Sequence, residues 1–376
     1  MRRLLLIPAE IATRLQRDIL LLVLVLLCFG LSLLDPDAIA TYPQRVDWPT
    51  IAALAGLLLL TTGLEESGLL QHAAYQMIIR MHSERNLALL LVGTSAAMAT
   101  VLTNDIALFI VVPLTLGLNG MATLPIARLV IFEALAVNAG SVLTPMGNPQ
   151  NLFLWQRSGI PFMAFVAEMA PLAGILLGTL LALTVFAFPA RHIDPHEDIV
   201  PPLLARRLLW SCLLLYPVFL ILLDLRQPWV GLAIVATVFG AAFRQVVKQV
   251  DWALIIVFVL IFIDLRLLAD LPPVQAMVAT IGLHDPQRLF LAGVLISQLI
   301  SNVPGAILLA EHSLDWRLMA WAANIGGFGL LIGSLANLIA LRLLGDRRAW
   351  WNFHAWSLPF LVIAGTLSYL WLFAGA

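Results

Sequence analysis

Two polar triplets interrupt long apolar stretches of the chain, Thr103-Asn104-Asp105 and Ser301-Asn302-Val303. Their residue types suit ion binding better than covalent chemistry. A carboxamide both donates and accepts hydrogen bonds, so Asn104 and Asn302 can face an anion or a cation. If each triplet is the tip of a hairpin turning back inside a membrane, helix-end N–H and C=O groups are left unpaired there. Such N-termini attract anions, and such carbonyls can coordinate cations. Downstream of each triplet lies a second signature: Asn138, Gly140, Gly147 and Asn151 in one half, Asn324, Gly326, Gly333 and Asn337 in the other. Gly147 and Gly333 would let the backbone unwind and approach the tips. Ser141, Thr144, Asn148 and Ser334 add neutral oxygens, and Pro145 and Pro149 break the ladder around Gly147. Neutral oxygens around free carbonyls describe a Na⁺ site better than a Mg²⁺ or Zn²⁺ site. Asn104, Asp105, Gly147, Asn302 and Gly333 are its candidate residues. As pure structure these groups would only stabilise kinks, but polar residues inside a membrane are functional by default.

Asp105 is the one acid at either tip; its counterpart in the second triplet is Val303. An ionisable group there can bind a cation or titrate a proton, which would couple transport to Na⁺ or H⁺. It would serve equally as an N-cap for the helix 106–118. Glu133, five residues before Asn138, is either a second titrating group or an interfacial partner of Arg128. Asp264 and Arg266 read as an interfacial anchor at an outer membrane edge. Trp350, Trp351, Trp356 and Trp371 read as an aromatic belt, and Cys28 and Cys212 as apolar packing residues.

Several chemistries are missing. Lys248 is the only lysine and no Gly-rich loop precedes it, so the chain has no Walker A site and no ATPase of its own. No HExxH or CxxC spacing, serine elbow or GxGD aspartate pair occurs, so an intramembrane enzyme finds no support. No organic cofactor is expected, only Na⁺ or H⁺ as coupling ion. Nothing in the charge pattern points to nucleic acid.

The elements that must hold these residues are set by composition. Of 376 residues 61% are hydrophobic and 11% charged, with a mean hydropathy of +0.96; soluble domains carry roughly 25% charged residues. The expected class is an all-α polytopic membrane protein embedded in the lipid bilayer. Full spans read near 19–34, 48–63, 124–155, 168–188, 204–223, 228–243, 252–264, 314–343 and 354–373. Those at 124–155 and 314–343 are long and interrupted. The stretches 87–118 and 288–310 are broken in the middle, too short on either side to cross, and read as re-entrant hairpins. Nine spans and two hairpins put fifteen basic residues on the N-terminal side of the membrane against six on the other. The positive-inside rule then makes the N-terminus cytoplasmic, in an inner membrane, with an uncleaved first helix.

The polar stretch 191–203 divides the halves, 1–190 and 204–376. Asp47-Trp48 and Asp251-Trp252 open equivalent spans, and the Asn–Gly–Gly–Asn signatures repeat at a constant separation of 186 positions. Four true spans per repeat plus the odd helix 204–223 would invert the second copy. Inverted repeats with broken helices place their site near the midplane.

Together, Leu102–Pro113, Asn138–Asn151, Ser301–Pro304 and Asn324–Asn337 resemble the ion transporter superfamily of arsenite permeases, Na⁺/H⁺ antiporters, citrate transporters and divalent-anion:Na⁺ symporters. The chain is most similar to the small YbiR-like inner-membrane proteins, and is short for the superfamily. The resemblance implies two hairpins facing two unwound helices, Na⁺ or proton coupling and an elevator motion, often as a homodimer. In the dicarboxylate symporters both tips read Ser-Asn-Thr. Here the first tip gains an acid and the second loses a hydroxyl; a dianion beside an ionised Asp105 is repelled, and the acid resembles the arsenite and Na⁺/H⁺ branches more. The expected function is secondary transport of a small anion coupled to Na⁺ or H⁺. The alternatives are cation/proton antiport and efflux of a neutral oxyacid such as arsenite.

Overall fold

The computed structural model describes residues 19–69, 72, 83–118, 124–192, 203–346 and 348–374. The amphipathic start of the chain (1–18) lies outside the described residues, as does most of the 191–203 linker. Every named element among the described residues is a helix. Apolar runs supply the helices, and short side chains fix where several begin. Asp47 accepts from the Thr50 amide, Asp251 from Ala253, Asp285 from Arg288, Asp315 from Leu318 and Asn148 from Asn151. Each takes up an amide that the first turn would leave unpaired.

In chain order these are α1 (Ile19–Leu34), α2 (Tyr42–Arg45), α3 (Trp48–Glu66), α4 (Glu84–Val101), α5 (Asn104–Leu118), α6 (Ile126–Ser141), α7 (Pro149–Ser158) and α8 (Phe162–Ala187). The second half has α9 (Arg206–Asp224), α10 (Pro228–Ala242), α11 (Arg244–Gln249), α12 (Trp252–Asp270), α13 (Pro272–Ile281), α14 (Pro286–Ile300), α15 (Asn302–Ala310), α16 (Trp316–Ile325), α17 (Leu335–Leu344) and α18 (Arg348–Phe373). Five of them, α3, α8, α9, α12 and α18, are long and apolar enough to cross a membrane alone. The broken pairs α6/α7 and α16/α17 fall where interrupted spans were expected. So do the tight turns between α4 and α5 and between α14 and α15. At nine residues, α15 is only about 14 Å long, less than half a bilayer core.

Packing sorts the helices into two groups. In one, α3 is surrounded by α9, α10, α11 and α12, with α1 laid on α12. In the other, α4, α5 and α6 pack together with α8, α18 closes on α8 and α6, and α14, α15 and α16 form a second cluster. The halves interleave: α17 packs on α5 and α6, and α7 packs on α15 and α16.

Two expectations need correction. Asp264 is no interfacial anchor: α12 runs on to Asp270, and Asp264 is fully buried within it. A span over 252–264 stops at the first charge, whereas Leu265, Leu267, Leu268 and Ala269 continue the apolar helix. Arg266 does stay near the surface, donating to Glu311 and to the Arg45 carbonyl. The helix α13 was not anticipated, because Pro272-Pro273 reads as a break although proline is well suited to a first helical turn.

Candidate functional site

The first break, between Ser141 and Pro149, and the second, between Ile325 and Leu335, meet in the interior and exchange hydrogen bonds crosswise. The Asn138 amide donates to Asn337 Oδ1 at 2.8 Å, and the Asn324 amide donates to Asn151 Oδ1 at 2.7 Å. Asn148 donates to Asn324 Oδ1 at 2.9 Å, and Ser334 donates to Asn138 Oδ1 at 3.1 Å. Asn151 and Asn337 complete the pattern by donating to the Ser141 and Gly327 carbonyls. Residues 186 apart make the same bond, to the opposite half in the four side-chain pairs and within their own half in these last two. Asn138, Asn148, Asn151, Asn324, Ser334 and Asn337 are each nearly or fully buried, so the pairing answers the cost of placing amides in an apolar interior.

The hairpin tips lean on this network. The Asn104 amide nitrogen of the backbone donates to the Gly147 carbonyl at 2.8 Å, and its side chain reaches Asn138 Oδ1 at 3.4 Å. Thr144 donates to the Thr100 carbonyl, tying the first break to α4. Gly147 must be glycine, since a Cβ there would lie 2.2 Å from the Ser141 carbonyl oxygen. Ser141 itself accepts from Asn148 at 2.9 Å. At the second tip the Asn302 side chain lies against Gly327, and Gly333 packs on the Gly326 carbonyl. Four helix N-termini, those of α5, α7, α15 and α17, therefore gather around the breaks.

Ser301 has φ +77° and ψ 157°, a conformation suited to glycine that costs a larger residue about 1–3 kcal/mol. Ser301→Gly is expected to raise the melting temperature of the purified protein; an unchanged or lower melting temperature would show that the turn is unstrained.

Thr103 and Asp105 sit on the other face of the first tip, on a cavity of about 620 Å³. Its walls are Thr62, Glu65 and Glu66 at the end of α3, Gln249 at the end of α11, Asp251 at the start of α12, and Leu335, Ile339 and Arg342 of α17. Asp105 faces this space with Asp251 near enough for their charges to interact. Asp105 does not act as the anticipated N-cap: the helix already begins at Asn104, and Asp105 Oδ1 has no hydrogen-bond partner among the described residues. Four carboxyl groups against one guanidinium make the cavity acidic.

Glu133 is not brought into this assembly. It is fully buried and accepts from Thr115 Oγ1 at 2.5 Å, and no hydrogen bond joins it to the asparagine network. Nor does it pair with Arg128, which donates to the Ala187 carbonyl and stacks over Phe188 and Trp356.

Sequence reasoning missed Gln298, Gln150 and Ser357. Gln298 clamps the second break by donating to the Gly326 and Phe328 carbonyls at 2.6 and 2.7 Å and accepting from the Leu330 amide. Ser357 accepts from the Gly329 amide, and Gln150 donates to Asn324 at 3.4 Å. Gln298 lies three residues before the Ser301 tip, and an amide in an apolar helix beside a turn was the signal available. The cavity walls had none, because Glu65, Glu66, Asp251 and Arg342 look like ordinary helix-end charges.

Comparison with known sequences agrees with this architecture. Residues 5–322 match the citrate transporter family, CitMHS. The chain is 48% identical to the inner membrane protein YbiR of Escherichia coli, over 95% of this chain and 96% of that one. It is 30% identical to an uncharacterized transporter of Methanocaldococcus jannaschii, over 79% and 81% of the two chains. A 46 kDa membrane protein of Mycobacterium leprae is 24% identical over 89% of each chain. With its helical, membrane-suited fold and its match across most of its length, the chain belongs to the citrate transporter family of membrane transporters within the ion transporter superfamily.

Proposed function

We propose that this protein is a secondary active transporter of a small anion, driven by Na⁺ or H⁺ bound at Asp105 and the asparagine tips. The observation that carries it is the Asp105 carboxylate oxygen, unpartnered among the described residues, which faces the cavity beside a tip bonded to the first broken helix, where α17 of the second packs on α5. The four helix N-termini offer the anion backbone donors, while Asp105 and the Gly147 and Gly333 regions offer the coupling cation oxygens. The matching crosswise bonds made by residues 186 positions apart support two repeats related by a pseudo-twofold axis, inverted in the membrane. With the N-terminus in the cytoplasm of an inner-membrane protein, the acidic cavity opens inward.

The motion we assign is an elevator: α4–α8 and α14–α18 move against α1, α3, α9, α10 and α12. At the outer end, Arg266 of α12 donates to Glu311 at 3.1 Å, and Arg157 lies 3.6 Å from the same carboxylate. This ion pair joins the two groups of helices on the side away from the cavity. Glu311→Gln is expected to increase labelling of a cysteine placed at Thr103 by an impermeant reagent added outside. Unchanged labelling would remove Glu311 from the conformational balance.

A second reading, cation/proton antiport, is favoured by the cavity's excess of carboxyl groups, which repels anions. Thermal-shift screening of the purified protein against Na⁺, Li⁺, arsenite, phosphate, sulfate and carboxylates separates the two. Stabilisation that needs a cation and one anion together supports symport; stabilisation by a cation with no effect of any anion supports antiport.

A further inference from the structure

Asp264 has no part in the site described above. It is fully buried in α12, and neither of its carboxylate oxygens has a hydrogen-bond partner among the described residues. Across the α1–α12 contact it neighbours the Cys28 thiol, which also neighbours the Ser32 and Tyr42 hydroxyls. Ser32 Oγ donates to the Cys28 carbonyl at 2.5 Å and lies 2.5 Å from the Tyr42 hydroxyl. Tyr42 is half-buried, close to the start of α3 and so at the end of the molecule opposite the acidic cavity.

A buried carboxyl can be answered by an opposite charge, a metal ion or a proton. Among the described residues no opposite charge serves Asp264. Arg266, on the same helix, is committed to Glu311 and the Arg45 carbonyl, and Arg45 to Asp270. Among the other helices packed on α12, α13 and α15 contain no titratable residue, and the two acids of α3 lie at its far end on the cavity. A hard cation wants several oxygen ligands, whereas Asp264 is flanked by a thiol, and the two hydroxyls beyond it already bond each other. A proton remains.

We propose that Asp264 is a proton-binding site separate from Asp105, loaded through Tyr42, Ser32 and Cys28 from the face opposite the cavity. The Cys28 thiol passes its proton to the carboxylate and takes one from the Ser32 hydroxyl, turned from the Cys28 carbonyl. Ser32 takes the Tyr42 proton, and a hydronium ion at the surface restores Tyr42 and leaves as water. Each relay group ends as it began, and one proton is gained at Asp264.

Infrared spectroscopy of the full-length protein in lipid, with carbon-13 in the aspartate carboxyls, tests this without interference from Glu133. The Asp105→Asn protein is expected to keep a protonated-aspartate C=O band at neutral pH, and the Asp105→Asn, Asp264→Asn double variant to lose it. Where that variant does not fold, Asp264→Glu should remove the labelled band equally. In D₂O the shift of the band should be slower in Cys28→Ala than in the parent. Absence of the band in Asp105→Asn protein, or its survival when Asp264 is replaced, overturns the site. Exchange as fast in Cys28→Ala as in the parent overturns the relay.

Discussion

Asp105→Asn is expected to fold and to lose ion coupling. The substitution preserves shape, and Asp105 makes no side-chain hydrogen bond through Oδ1 that would be lost. What disappears is the one titratable, cation-attracting group on the tip. Coupling energies between sites are typically 1–3 kcal/mol, equivalent to about 5- to 150-fold in affinity. Raising Na⁺ or lowering pH should therefore tighten substrate binding by a factor in that range in the parent protein and not in the variant. Because linkage is reciprocal, substrate should likewise cease to strengthen cation binding. Both are read from thermal-shift titrations of one ligand at fixed levels of the other. A variant that retained the full factor would remove Asp105 from the coupling role.

Asn138→Leu and Asn324→Leu should each lower stability and abolish transport. Asn138 links Asn337, Ser334 and Asn104; Asn324 links Asn151, Asn148, Gln150 and the Ala320 carbonyl. Leucine would strand several buried polar groups at about 1–3 kcal/mol each, although bonds within membranes average nearer 0.6 kcal/mol where alternative partners exist. The crosswise geometry makes a more specific statement: the two variants should resemble one another, since each breaks the corresponding pair of crosswise bonds from opposite halves. Fluorescence-monitored melting measures this. A large loss in one and none in the other would mean that the breaks are not equivalent, and would weaken the twofold reading.

Much of this arrangement was legible because asparagine is conspicuous in an apolar chain. Asn104, Asn138, Asn151, Asn302, Asn324 and Asn337 stood out by type and spacing, and the structure brings five of them into direct or shared hydrogen bonds with one another or through Ser334 and Asn148, with Asn302 set against Gly327. Helix starts were readable for the same reason that Asp47, Asp251 and Asn148 cap them. What spacing could not carry was which residue in one half meets which in the other, since those pairs lie more than 170 positions apart. The acidic cavity was hidden because Glu65, Asp251 and Arg342 terminate three different helices and acquire meaning only when those ends converge. Asp264 was misplaced because a charge normally marks the end of a span, whereas here the helix carries it inside. Glu133 was undecided from sequence, and Thr115, the residue that answers it, lies 18 positions away on α5.

The most direct measurement is accumulation of candidate anions by proteoliposomes holding only this protein, with an imposed Na⁺ or proton gradient and no nucleotide. Uptake above the external concentration that collapses when an ionophore dissipates the gradient is the predicted result. No accumulation of any tested arsenic, phosphorus, sulfur or carboxylate species under either gradient, or accumulation indifferent to the ionophore, would contradict gradient-driven anion transport.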